Sequence, residues 1–223
     1  HESMAGPDLQ TVRAIVLITA IAAVAAVLGT GSYEVSHERI EENRQARLLD
    51  MLHQVLDSSA HDNELAQSRQ AVQDLELLGS ADPIDVYVAT REGRPVAALF
   101  SSIAPRGYHG PIPLLIGIAY DETVTGVRVT SHTETPGLGD PIESQKSDWI
   151  LGFDGTSLSS PPADDWAVSR DDGWFDAITG ATVTPRAVVT SVKNTLLYFQ
   201  QHKDELFRAA PSNGSDSSET TDE

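Results

Sequence analysis

The chain has 223 residues, 40% of them hydrophobic, which is enough for one ordinary domain with appendages. It contains no cysteine, so disulfides, iron–sulfur ligation by thiolates and thiol catalysis are excluded. Fifteen basic against thirty-three acidic residues give a formal charge of −18, which argues against nucleic acid or anionic lipid headgroups as partners.

Residues 14–33 carry no charge and are mostly apolar. About twenty apolar residues span a bilayer as a helix, so segment 1–33 is expected to hold a single transmembrane anchor. A cleaved signal peptide is the rival reading, because Arg13 precedes the run and Ala23-Val24-Ala25 imitates a cleavage site. The length of the run, and its direct passage into a helix-like segment, favour the anchor. Charge does not orient it, since Arg13 lies before the span and Arg39, Arg44 and Arg47 follow it.

From Glu34 to Asp57 a stripe of Ile40, Leu48, Leu49, Leu52, Val55 and Leu56 predicts a helix that packs against the following domain. Residues 58–83 read as a polar loop with one short helix, ending at Pro83. Together 34–83 form an expected membrane-proximal helical linker.

Strand signals begin at Ile84. Alternation over Ile84–Thr90 puts Val86 and Val88 opposite Tyr87 and Ala89, and Glu92-Gly93 predicts a hairpin into Pro95–Ser101. A Gly/Pro loop over 105–111 precedes a strand at Ile112–Tyr120, and Asp121-Glu122 turns the chain into Val124–Ser131. Four such runs predict an antiparallel meander with one apolar face covered by helices, hence an α+β domain over 84–208.

The loop His132–Asp140 follows, with backbone at Gly137 and Gly139 able to approach a flat ligand and with Glu134 and Thr135 offering an acceptor and a hydroxyl. Ile142–Phe153 predicts a short helix holding Trp149 and Ile150 inward. Trp166–Val168 reads as a brief strand, and Asp171-Asp172-Gly173 as a turn.

The stretch that organises the rest is Gly173–Arg186. Thr184 is the expected N-cap and Pro185 the first residue of a helix of about five turns, in which Val188, Val189, Val192, Leu196, Phe199 and Phe207 form the buried stripe. Just before it, Asp176-Ala177-Ile178-Thr179-Gly180-Ala181-Thr182 brings two nearly bare residues and a hydroxyl to a helix N-terminus, where unpaired N–H groups attract phosphate. By itself this also fits an ordinary turn with two competing caps. The end of the chain, 209–223, reads as a disordered acidic tail, with Asp216, Glu219, Asp222 and Glu223 and no base after Pro211.

The seven histidines show no ligand-like spacing, so a metal site is not expected, and neither a Walker loop nor a Gly-x-Ser-x-Gly elbow occurs. No catalytic residue is assigned. His132 and Glu134 could pass a proton to a reduced ligand, but a structural hydrogen-bonding role suits them better.

Asp176, Thr179, Gly180, Ala181 and Thr182 fill the pattern Asp-x-x-(Ser/Thr)-Gly-Ala-Thr, which resembles the flavinylation motif of the bacterial Rnf and sodium-pumping quinone reductase complexes. Gly107–Ile112, Leu114–Gly117, Glu134–Asp140, Ser147–Trp149, Asp165–Val168 and Thr179–Val189 resemble, in the right order, the G subunit of the Rnf (Rsx) electron transport complex over roughly 84–200. Thr184–Val189 favours Rnf over the quinone reductase C subunit. The resemblance implies FMN held through a phosphoester to Thr182, with Thr179, Gly180, Ala181, Val183 and Thr184 around it. It also implies that Glu134, Thr135, Gly137 and Leu138 lie against the flavin ring.

By the same resemblance, the chain is an electron-relaying flavoprotein subunit of an ion-translocating ferredoxin–NAD oxidoreductase, not catalytic alone. It would be anchored once in the bacterial inner membrane, with its soluble domain periplasmic. Implied partners are the integral-membrane Rnf subunits, including the other flavinylated one, and a flavin transferase that uses FAD. The alternatives are the C subunit of the sodium-translocating NADH–quinone reductase and a non-enzymatic membrane-tethered flavin-binding sensor or assembly module.

Overall fold

The computed structural model describes residues 45–209. The expected span at 14–33, the first part of the 34–57 helix and nearly all of the acidic tail lie outside them. Among the described residues no helix is long and apolar enough to cross a membrane.

Five antiparallel strands form one meander in the order β1-β2-β3-β4-β5. They are β1 (Arg69–Val72), β2 (Ile84–Arg91), β3 (Arg94–Ala104), β4 (Ile112–Ala119) and β5 (Val124–Val129). Four fall where alternation put them. Strand β1 corrects the expectation of loop across 58–83: Arg-Gln-Ala-Val is too short and half polar to show a period, and backbone pairing with Ile84–Tyr87 makes it a strand. The β2–β3 hairpin turns at Glu92 and Gly93, both at positive φ, as its tight two-residue turn requires.

Both faces of the sheet are buried, where one covered face was expected. On one side Val86, Ala98, Phe100, Leu114 and Ile116 meet Val188, Val189, Val192, Leu196 and Phe199 of the last helix, α2 (Val183–Arg208). On the other, Tyr87, Ala89, Ala97, Leu99 and Leu115 meet Leu52, Val55, Leu56 and Leu65. These come from the end of helix α1 (45–53) and the turns after it. The alternating strand pattern therefore serves two apolar layers, and the stripe from Leu48 to Leu56 is core, as its spacing predicted.

The second layer depends on bare backbone. A Cβ at Gly126 would lie 2.9 Å from the Val55 Cα, and one at Gly117 2.9 Å from the Val55 carbonyl oxygen. Gly126→Val should thus cost about 1–3 kcal/mol by overpacking and lift residues 48–56 from the sheet. A lower denaturation midpoint together with new protease cleavage near residue 56 is the expected result; unchanged cleavage would show that the contact is not needed.

The expected helix at 142–153 is two separate 3-10 turns, Asp140–Ile142 and Asp148–Phe153. Ser147 caps the second by accepting from the Trp149 N–H at 3.1 Å, which interrupts a continuous α-helix. Ile150 is fully buried as expected, whereas Trp149 is half-buried. The brief strand at 166–168 reduces to one bridge between Val168 and Phe175. What orders this region is aromatic packing: Phe175 stacks on Phe153 at 4.5 Å and leans on Trp166 at 4.9 Å.

Candidate functional site

The aromatic cluster delivers the chain to the motif in a fixed place. Phe175 is locked among rings, and the carbonyl of Asp176 accepts from Trp149 Nε1 at 2.7 Å. Two residues on, Ile178 is buried and its carbonyl accepts the Ala181 N–H at 3.1 Å, closing a turn. Gly180 lies in that turn at φ +85°, and a Cβ there would sit 3.1 Å from Leu138 Cδ2. Glycine therefore serves both the positive φ and the close approach of the 134–139 loop.

Helix α2 starts two residues earlier than its sequence signals indicate. Its N-cap is Thr182, at φ −110° and ψ −27°, and Thr182 makes no side-chain cap hydrogen bond. Thr184, the expected cap, is in the first turn with its hydroxyl donated to Glu134 Oε2. Pro185 becomes the third helical residue, which costs nothing because the first four N–H groups of a helix have no internal partner. With 26 residues the helix has about seven turns. In its last turns Leu206 is buried and Phe207 only half-buried, so the stripe drifts from the expected position.

In front of this N-terminus lies a cavity of about 360 Å³. Of the residues singled out in the sequence, Glu134, Thr135, Leu138, Gly180, Ala181, Thr182, Val183 and Thr184 line it. Thr179 and Gly137 do not. Gly137 is exposed at φ +78° on the outside of its loop, and Gly139, expected to offer open backbone, is instead buried against the Glu134 side chain.

Gly139 still belongs to the wall; Tyr108 and His109 complete it and were not among the expected site residues. Two adjacent ring side chains inside a Gly/Pro loop were the available signal for these two. They arrive because the 105–111 loop crosses to the 134 loop: the His109 N–H donates to Glu134 Oε1 at 3.0 Å, and the Thr133 hydroxyl to the His109 carbonyl at 3.2 Å.

The wall carries one carboxylate, that of Glu134, and neither lysine nor arginine. Glu134 is 4% exposed. His132, behind it, accepts the Glu134 N–H on Nδ1 at 3.0 Å and bonds Glu143 Oε1 through Nε2 at 2.6 Å. Both ring nitrogens are thus engaged structurally, as the sequence reading preferred. On the outer side of α2, Arg186 grips Asp171 through two hydrogen bonds of 2.5 and 2.6 Å. This holds the Asp171 carboxyl below its ordinary range and ties the turn before the motif to the helix.

Three threonines face the cavity. The Thr184 hydroxyl is taken by Glu134, and that of Thr135 is 3.5 Å from His109 Nδ1. The Thr182 hydroxyl is left without a cap bond, beside the unpaired N–H groups of the helix start. A larger cavity of about 620 Å³ lies between α2 and residues 75–79, but it meets this wall only at Val183 and does not include Thr182.

Residues 107–197, which contain the whole cavity wall, match the model of the FMN-binding domain family. Over 190 residues the chain is 47% identical to the G subunit of the ion-translocating oxidoreductase complex of Vibrio cholerae strain O395, covering 83% of this chain and 90% of that protein. The chain belongs to the family of G subunits of ion-translocating oxidoreductase complexes. The G subunit of Pseudoalteromonas atlantica is 47% identical over 179 residues, covering 80% of this chain and 83% of its own length. That of Shewanella oneidensis is 44% identical over 189 residues, covering 83% and 89%.

An FMN-binding domain fits the cavity. Bare backbone at Gly180 and Ala181, the open helix N-terminus and the unengaged Thr182 hydroxyl suit a phosphate, and Leu138, Tyr108 and Val183, all substantially exposed, offer an apolar rim for a flat ring.

Proposed function

We propose that this chain is the FMN-carrying G subunit of an ion-translocating oxidoreductase complex of the Rnf type, relaying electrons through a flavin esterified to Thr182. The observation that carries this reading is the free Thr182 hydroxyl at the mouth of α2, inside the segment that matches the FMN-binding domain family. When bound, FMN supplies one- and two-electron transfer.

The chain's residues hold and orient it. In the attachment step the Thr182 oxygen bonds to the flavin-side phosphorus of FAD. The pyrophosphate P–O bond breaks, AMP leaves, and the hydroxyl proton passes to a base of the flavin transferase; no electron changes hands. The N–H groups of Val183 and Thr184 then offset the remaining phosphate charge, which matters on a wall without lysine or arginine. Leu138, Thr135 and Tyr108, which line the cavity, would hold the ring. Thr179 lies in the turn before Gly180, and Gly137, at φ +78°, in the bend of the 134–139 loop. A tether keeps the ring's local concentration high in a dilute compartment.

In this reading residues 1–33 anchor the chain in the bacterial inner membrane and 34–83 connect the anchor to an FMN-binding domain over 84–208. That domain faces the periplasm, and 209–223 form an acidic tail. The redox neighbours are integral-membrane subunits of the complex, one of them also flavinylated. The test is the intact mass of the full chain produced with and without a flavin transferase. An FMN-sized increment that requires the transferase, mapped to the peptide containing Thr182, is expected; no increment, or one mapped elsewhere, rejects the reading.

A further inference from the structure

We propose that Glu134 is a positioning residue that presents the Thr182 hydroxyl for modification, an inference that rests on the reading above and deepens it. Neither oxygen of this buried carboxylate is idle: Oε1 accepts from the His109 N–H at 3.0 Å, and Oε2 from the Thr184 hydroxyl. A carboxylate this deep is expensive to leave unpaired, so the two donors are held firmly. One belongs to the loop that forms the far wall of the cavity, the other to the first turn of α2. Glu134 therefore pins the backbone two residues after Thr182 to the opposite wall.

Two further features point the same way. Glu134 is itself fixed from behind, its N–H donating to His132 Nδ1, whose Nε2 is bonded to Glu143. The loop also closes over the carboxylate through Gly139, where a Cβ would fall 2.9 Å from Glu134 Oε2. In consequence the Thr184 hydroxyl, sited where it could compete as a phosphate acceptor, is consumed as a donor. Thr182 keeps the unengaged hydroxyl on a backbone tied down two residues later, and misplacing a reacting group by about 1 Å can cost roughly a hundredfold in rate.

The experiment follows loading of the full chain by a flavin transferase and FAD, read as in-gel fluorescence after denaturation, for E134A, T184V, T184S and the E134A/T184V double variant; alanine is used at 134 because a glutamine amide could still accept from His109 and donate to the Thr184 oxygen. E134A and T184V should load about ten- to a hundredfold more slowly, with the loss in turnover and not in the KM for FAD, and with loading still running to completion. T184S keeps the hydroxyl and should load at the wild-type rate. The double variant should be no slower than the slower single, because both break one link. Wild-type rates in E134A and T184V, or slowing that tracks lost thermal stability and is equal in T184S, would overturn the inference alone. A wild-type chain that never loads at Thr182 rejects the underlying reading and this inference with it.

Discussion

Thr182→Ala is expected to abolish covalently bound flavin while leaving the fold intact, and Thr182→Ser to retain it. The Thr182 side chain makes no cap hydrogen bond and is half-buried, so removing its hydroxyl strands no partner. The change in stability should stay within about 0.5 kcal/mol, as for an ordinary substitution away from a buried network. Its chemical effect is all or none, because the other two threonine hydroxyls of the cavity point to Glu134 and His109. In-gel fluorescence of the denatured chain, with peptide mapping, reads the result. Fluorescence persisting in Thr182→Ala, mapped to Thr135, Thr179 or Thr184, would place the attachment elsewhere.

The largest expected loss of stability is at Phe100. It is fully buried at the centre of β3 and meets the rings of Tyr198 and Phe199 edge-on, at 6.1 and 6.2 Å. Phe100→Ala removes the contact between the middle strand and the middle of α2, at a cost of about 3–5 kcal/mol including the cavity left behind. For a domain of this size that is a fall in Tm of about 10 °C or more, measurable by calorimetry. Because the same helix carries Thr182 at its N-terminus, flavin loading should fall at temperatures where the variant is partly unfolded and recover on cooling. A Tm within a few degrees of wild type would mean that the helix and sheet do not depend on this ring.

Strong local periods carried most of the fold. Alternation over 84–131, turn residues at Glu92-Gly93 and Asp121-Glu122, and helical spacing from Val188 to Phe199 each reflect a rule acting within a few residues, and each element appears where its pattern puts it. Strand β1 escaped because four half-polar residues carry no period; only its neighbour makes it a strand. The burial of both sheet faces escaped for a related reason. Apolar residues on both sides of β2 and β3 were legible, but not which segment covers the second side.

The site divides in the same way. Gly180, Ala181 and Thr182 could be read as a helix-start turn open to phosphate, because that property is local to the backbone. The roles of Thr184 and Glu134 could not: a Thr-Pro pair is a good cap by local rules, and a partner fifty residues away claims the hydroxyl instead. Nor could Tyr108 and His109 be placed on the wall, since the loop that carries them reaches it through hydrogen bonds to residues far along the chain, the His109 N–H to Glu134 and the Thr133 hydroxyl to the His109 carbonyl. The chain by itself determined which backbone meets the ligand and which hydroxyls are candidates. Tertiary structure decided which hydroxyl stays free, because a buried carboxylate must satisfy both its oxygens, and its donors come from whatever segments the fold brings beside it.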